Sequence, residues 1–207
     1  MRRNMRYMRF KDGKDHMTLV YLRKPIIIPG RNTSLAGYVK SKLFSQPISL
    51  IVDHRQQDNT TYKHACASLR SDGTVCILME PELYLDFVRG KAYARTTILH
   101  ELGHVFYNDL PDIQRDGTEY DAERLSSIES GNVHVRELRA DEFAARFIGA
   151  YTVSQGLLFL QNVDIAENEE LNTPSIQELE KRIQALAVSG QAALLGKSRT
   201  DHDLLPS

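Results

Sequence analysis

The chain has 207 residues, 42% hydrophobic and 26% charged, with a formal net charge of -1. That length suits one globular domain that can bury a core without disulfides or a structural metal. The balanced charge argues against nucleic-acid binding as the main function, and no segment approaches the roughly 18 apolar residues of a membrane span.

The N-terminal stretch MRRNMRYMRFK carries Arg2, Arg3, Arg6, Arg9 and Lys11 with no acid. One reading is a basic arm for nucleic acid or anionic lipid; the favoured one is a solvated first strand or a frayed end. It lacks the apolar run of a signal peptide, so the expected location is the cytoplasm. Residues 5–22 read as a hairpin around Asp12-Gly13, within a basic segment spanning 1–30. Next, Asn32, Thr33 and Ser34 look like helix caps. Leu35, Val39 and Leu43 follow at helical spacing, which predicts a helix over 32–46. Ile48–Asp53 (ISLIVD) reads as a buried strand.

Two more strands, YKHACASL and TVCILM, flank Asp72-Gly73. With those two residues as the turn, Leu69 faces Cys76 and Met79 faces Cys66. The cysteines then point to opposite faces, and no disulfide is expected. Neither lies in a CxxC spacing, which argues against a thiolate zinc site. Pro81 opens a short helix that ends near Gly90, and a long helix runs from about Lys91 to Asn108. The polar stretch 109–132 is long for a loop and reads as a lid or mobile segment. Val133–Tyr151 is helical again, SQGLLFLQNVD is ambiguous, and TPSIQELEKRIQALA is a helix with Thr173 as N-cap and Pro174 first.

Strands early and helices late give an α+β fold. A small antiparallel or mixed sheet precedes the two helices that carry the site. The expected core spans 31–151, followed by a helical extension over 152–190 and a flexible tail over 191–207.

The chemistry gathers at His100-Glu101-Leu102-Gly103-His104. On a helix, positions i and i+4 share a face, so His100 and His104 can offer two imidazole nitrogens to one ion. Glu101 sits where it can reach a water on that ion, which is the mechanical content of HExxH. Gly103 removes bulk where a substrate or a second helix must approach. With 7 His and 13 Glu in 207 residues, the pattern arises by chance in roughly 0.015 of such chains, so the motif alone is of moderate strength. Its setting strengthens it: two histidines and a glutamate on an apolar helix are costly without partners.

A catalytic zinc also needs a third ligand and an open position. Glu137 and Asp141 of ELRADEFAARF lie one turn apart on a stripe shared with Ala140, Ala144 and Ile148. The alanines would let this helix pack closely on the first. Glu137 is then the candidate third ligand, and Asp141 the candidate acceptor for a ring N–H of a ligand histidine. The bland alternative pairs these acids with Arg136, Arg139 or Arg146 at the surface. Glu142 competes for the third ligand position but points away from Glu137.

HExxH followed by ExxxD resembles the gluzincin metallopeptidases, and the ExxADxFA form resembles the soluble ImmA/IrrE-type peptidases over roughly Ile48 to Tyr151. Many of those carry Asn where Asp141 stands. The resemblance implies a zinc held by His100, His104 and Glu137, with Glu101 as general base and then proton donor. It further implies a protein or peptide substrate laid along a sheet edge, for which TVCILM is a candidate although a central place suits it equally. His134 could serve as a second electrophile, with Tyr107 and Tyr151 as weaker options. The rival readings are a metal-dependent hydrolase of another substrate class and a non-catalytic regulator that binds a repressor or another protein partner.

Overall fold

The computed structural model describes residues 4–54, 64–70, 72–110, 126–127, 130, 133–168 and 174–200. These build an α+β fold of six strands and five helices. The strands are β1 (Met5–Asp12), β2 (Asp15–Ile27), β3 (Thr33–Ser41), β4 (Ile48–Asp53), β5 (Ala65–Leu69) and β6 (Val75–Met79). The helices are α1 (Pro81–Arg89), α2 (Ala92–Phe106), α3 (Val135–Ile148), α4 (Ala150–Asn168) and α5 (Pro174–Thr200). The sheet order is β1-β2-β3-β4-β6-β5, with β4 and β6 parallel and every other neighbouring pair antiparallel. None of the described helices is long and apolar enough to cross a membrane.

One face of the sheet is apolar and carries the helices. Met17 and Leu19 of β2, Val39 of β3, Leu50 and Val52 of β4 and Ile77 and Met79 of β6 join a single core. Leu83 and Phe87 of α1, Ile98, Leu99 and Leu102 of α2 and Phe143 of α3 complete it. Within that core α2 is buried on most sides, from Ala94 to His104. A helix so enclosed can carry polar groups only if they satisfy one another.

The helix expected over 32–46 is instead strand β3. The spacing of Leu35, Val39 and Leu43 imitates a helical stripe, but pairing on both sides decides the outcome. β2 and β4 flank the segment, and a register shift next to Leu35 bulges it. Gly37 is the device that permits this. A Cβ there would lie 2.1 Å from the Val20 carbonyl oxygen and 2.9 Å from Tyr21 Cα.

The cysteine register also differs from expectation. Three residues, not two, separate Arg70 from Thr74. The Arg70 N–H donates to the Thr74 carbonyl, and the Asp72 carboxylate accepts from both the N–H and the hydroxyl of Thr74. Leu69 therefore faces Val75, Cys66 faces Leu78 and Ser68 faces Cys76. That one-residue shift puts both cysteines on the same face, the one away from the core; both are free thiols. The same ladder places β6 centrally, between β4 and β5, so the edge beside the helices is β5 rather than TVCILM. The ambiguous SQGLLFLQNVD lies within α4, and α5 continues past Gly190 to Thr200, where a flexible tail was expected. Thr173 and most of the polar stretch 109–132 fall outside the described residues.

Candidate metal centre

The site begins with how α2 ends. The Asn108 N–H donates to the Val105 carbonyl and the Asp109 N–H to the His104 carbonyl, with Asn108 left-handed at φ 57°. This is the Schellman pattern of helix termination, and Asn is one of the few side chains that tolerates the left-handed position. The turn folds Asp109 back on the helix, where its carboxylate meets His104 Nδ1 at 3.0 Å.

α3 crosses α2 at Gly103. A Cβ on Gly103 would stand 2.8 Å from Ala140 Cα and 3.0 Å from the Ala140 carbonyl oxygen. The approach of a second helix, rather than of a substrate, is therefore what Gly103 allows. Ala140 lies between Glu137 and Asp141, so the crossing delivers both carboxylates to the histidines. Asp141 Oδ1 lies 2.8 Å from His100 Nδ1. Glu137 lies 3.2 Å from His100 Nε2 through one oxygen and 3.6 Å from His104 Nε2 through the other.

Carboxylates only accept hydrogen bonds, so Asp141 and Asp109 favour the ring proton of each histidine on Nδ1, against Arg182 Nη2, which also stands 3.1 Å from His100 Nδ1. The two Nε2 lone pairs are then left facing each other, 3.1 Å apart. Two lone pairs and a carboxylate converging on one buried point have no mutual hydrogen bond to make; they need a cation or a proton between them. One donor atom from each of His100, His104 and Glu137 lies within 4.8 Å of the others, a group that could hold a metal ion. In a tetrahedral site with bonds of about 2.1 Å, donor atoms stand about 3.4 Å apart. The distances here are of that size.

Two arginines anchor the carboxylates. Arg182 of α5 reaches Asp141 at 2.6 and 2.7 Å and Glu137 at 3.2 Å. Arg139 of α3 is bonded to Asp109. Each histidine is thus backed by an aspartate and each aspartate by a guanidinium, an arrangement that fixes ring orientation. The electrostatics follow. Burial and then Arg182 oppose a charge on His100, but Asp141 and Glu137 outweigh them and raise its pKa to about 9. Burial, followed by the charge of His100, pushes His104 down. Burial works to raise Glu137, yet His100, Arg182 and His104 hold it well below the usual carboxylate range. Burial likewise opposes ionisation of Asp141, and Arg182 overcomes it. Without a metal, His100 is therefore the histidine of the pair that carries the extra proton at neutral pH.

Glu101 takes another direction. Its Oε2 accepts the Ala67 N–H of β5 at 2.7 Å. The cross-ladder bonds Arg70 to Thr74 and Glu80 to His64 mark the even-numbered residues of β5 as paired with β6. Ala65, Ala67 and Leu69 therefore turn their backbone groups toward the edge that no described strand pairs with. Glu101 thus sits between the histidine pair and the sheet edge.

Of the other candidates, His134 is the N-cap of α3, and its Nδ1 accepts the Arg136 N–H. Tyr107 packs beneath the Arg139 guanidinium, and Tyr151 is 77% exposed at the start of α4. Glu142 is exposed, away from the site. Arg146, offered as a surface partner for the acids, instead binds Asp12 and Asp15 of the first hairpin. Asp109 and Arg182 are not reached by the sequence reading, and Arg139, offered as a surface partner for Glu137 or Asp141, pairs with Asp109 instead. Arg182 had a signal: it lies three residues after Leu179 and four before Leu186, on the apolar stripe of its helix. Comparisons with protein-family models, with curated proteins and with solved structures gave no match.

Proposed function

We propose that this chain is a zinc-dependent metallopeptidase whose ligand pattern is similar to that of the gluzincins and, among them, to that of the ImmA/IrrE-type peptidases. The observation that carries the reading is the pair of Nε2 lone pairs converging with the Glu137 carboxylate, each ring held from behind by an aspartate. An apolar core does not require such a constellation, and a borderline-soft divalent ion with nitrogen and oxygen ligands suits it.

His100, His104 and Glu137 would hold the ion. Zinc in such a site supplies Lewis acidity, lowering the pKa of water to about 7 and polarising a carbonyl. An extended peptide would add to this edge of β5, where Ala65, Leu69 and the Ala67 carbonyl offer backbone groups. That edge runs beside Glu101, through the Ala67 N–H that Glu101 accepts. Glu101 would take the proton of the attacking water with its second oxygen and pass it to the leaving amine. Asp141 and Asp109 keep the rings oriented throughout, and Arg182 keeps Glu137 ionised.

The second reading is a non-catalytic regulator with the same site. The hydrogen bond that ties Glu101 to the edge strand favours it, because it gives that side chain a structural task. The separating experiment is hydrolysis of a generic unfolded protein by the metal-loaded chain and by Glu101→Gln. Cleavage by the parent, abolished by a chelator, restored by zinc and absent in a Glu101→Gln protein that still holds metal, supports the peptidase. Metal retention with no cleavage by either protein supports the regulator.

A further inference from the structure

The sheet has a second face, away from the helices. Val20, Ile51 and Cys76 are buried there, outside the main core. The register of the first three strands arranges this face in rows. Tyr7, Val20 and Tyr38 form one, Arg9, Thr18 and Lys40 the next, and Lys11 and His16 begin a third. Tyr7 is 64% exposed, and Arg9, Lys11, His16 and Lys40 are exposed as well. Lys40 Nζ stands 5.2 Å from the Tyr38 ring centroid. Neighbouring strands lie about 4.8 Å apart, so the two tyrosines sit about 10 Å apart with Val20 between them, room for one planar ring on each.

The face carries no acid on these three strands. Asp12 and Asp15, the nearest acids, turn to the other side, where Arg146 binds both. A cleft of about 450 Å³ continues the cationic rows, lined by His16, Thr18, Lys40, Lys42, Phe44 and Gln46 among others. From Met5 onward this basic stretch is an edge strand that sets Arg9 and Lys11 on one face with the exposed Tyr7 and the half-buried Tyr38.

We propose that this face of β1, β2 and β3 binds single-stranded nucleic acid. Unpaired bases stack on Tyr7 and Tyr38, and the phosphates follow Arg9, Lys11, Lys40 and Lys42. Aromatics flanked by cations on a sheet face are the recurring platform for unpaired bases. This assignment is independent of the metal centre, which lies on the helical side of the sheet.

The test is fluorescence anisotropy of a labelled oligo-dT and of a mixed-sequence RNA of equal length, titrated with the full chain with and without a chelator. Binding is expected whether or not metal is present. Its affinity should fall with salt on a logarithmic slope of up to about −3 for four phosphate contacts on a single strand. Tyr7→Ala should weaken binding at least about fivefold by loss of one stacked base. The double variant Arg9→Glu, Lys40→Glu should abolish it, with metal content and unfolding midpoint unchanged in both variants. No binding by about 100 μM protein would overturn the proposal. So would equal affinity for duplex or for anionic vesicles, or a Tyr7→Ala protein that binds as the parent does.

Discussion

Gly103→Ala tests the crossing that assembles the metal centre. The new Cβ would stand 2.8 Å from Ala140 Cα and 3.0 Å from the Ala140 carbonyl oxygen. Both are backbone atoms, so no side-chain rotation relieves the contact. Reaching an ordinary separation of about 3.4 Å requires α3 to move by about 0.6 Å, and overpacking of this kind costs about 1–3 kcal/mol. Alanine returns about 1 kcal/mol of helix propensity, so the net loss of stability is about 0–2 kcal/mol. The effect on metal should be larger. Glu137 and Asp141 ride on α3, and ligand distances tolerate only about 0.2 Å, so affinity should fall about tenfold or more. Urea unfolding in chelator and competition against a chromophoric zinc chelator read the two quantities. A Gly103→Ala protein about 1 kcal/mol more stable than the parent, with unchanged metal affinity, would refute the reasoning.

Asp109→Ala, which removes the partner of His104 Nδ1, should weaken metal binding about 10- to 100-fold in the same competition assay; parental affinity would contradict it. Arg182→Met leaves Glu137 and Asp141 buried without their guanidinium. In chelator it should lose about 3–5 kcal/mol of stability by urea unfolding, against less than about 1 if the pairing is incidental. Metal uptake should release close to one proton per chain between about pH 7 and 8, because His100, with its pKa raised to about 9, is protonated in the metal-free site. Calorimetry in buffers of differing ionisation enthalpy reads that release. The same shift fixes the pH dependence of metal-free stability. A raised folded-state pKa gives a contribution that is complete below about 6.5 and lost as pH climbs through about 9. Glu137 and Asp141, held low, contribute above their unfolded values and lose that contribution as pH falls through their depressed folded values. Stability that rises between pH 7 and 9 in chelator would contradict the charge assignment.

The residues of the candidate metal centre are legible in the sequence because their constraint is local. The i, i+4 spacing of His100 and His104, and of Glu137 and Asp141, follows from helix geometry alone. The carboxylate pair on a stripe of alanines signals a buried charge in need of a partner. Asp109 is less visible because its position depends on the left-handed turn at Asn108, which residue identity permits but does not announce. Arg182 comes from a helix more than 40 positions away from Asp141, and only its place among Leu179, Ile183 and Leu186 hints at burial. The failure over 32–46 is of another kind. Leu35, Val39 and Leu43 satisfy a helical template, and strands β2 and β4 override it by pairing on both sides. The hairpin after β5 shows how much one residue matters: a three-residue turn in place of two moved both cysteines to one face.

The most direct test of the account is the metal content of the purified chain, measured by elemental mass spectrometry beside Glu137→Ala. The site of His100, His104 and Glu137 predicts about one zinc per chain in the parent and little or none in the variant. A parent that carries no metal and takes up none when zinc is added, or equal zinc in both proteins, would contradict it.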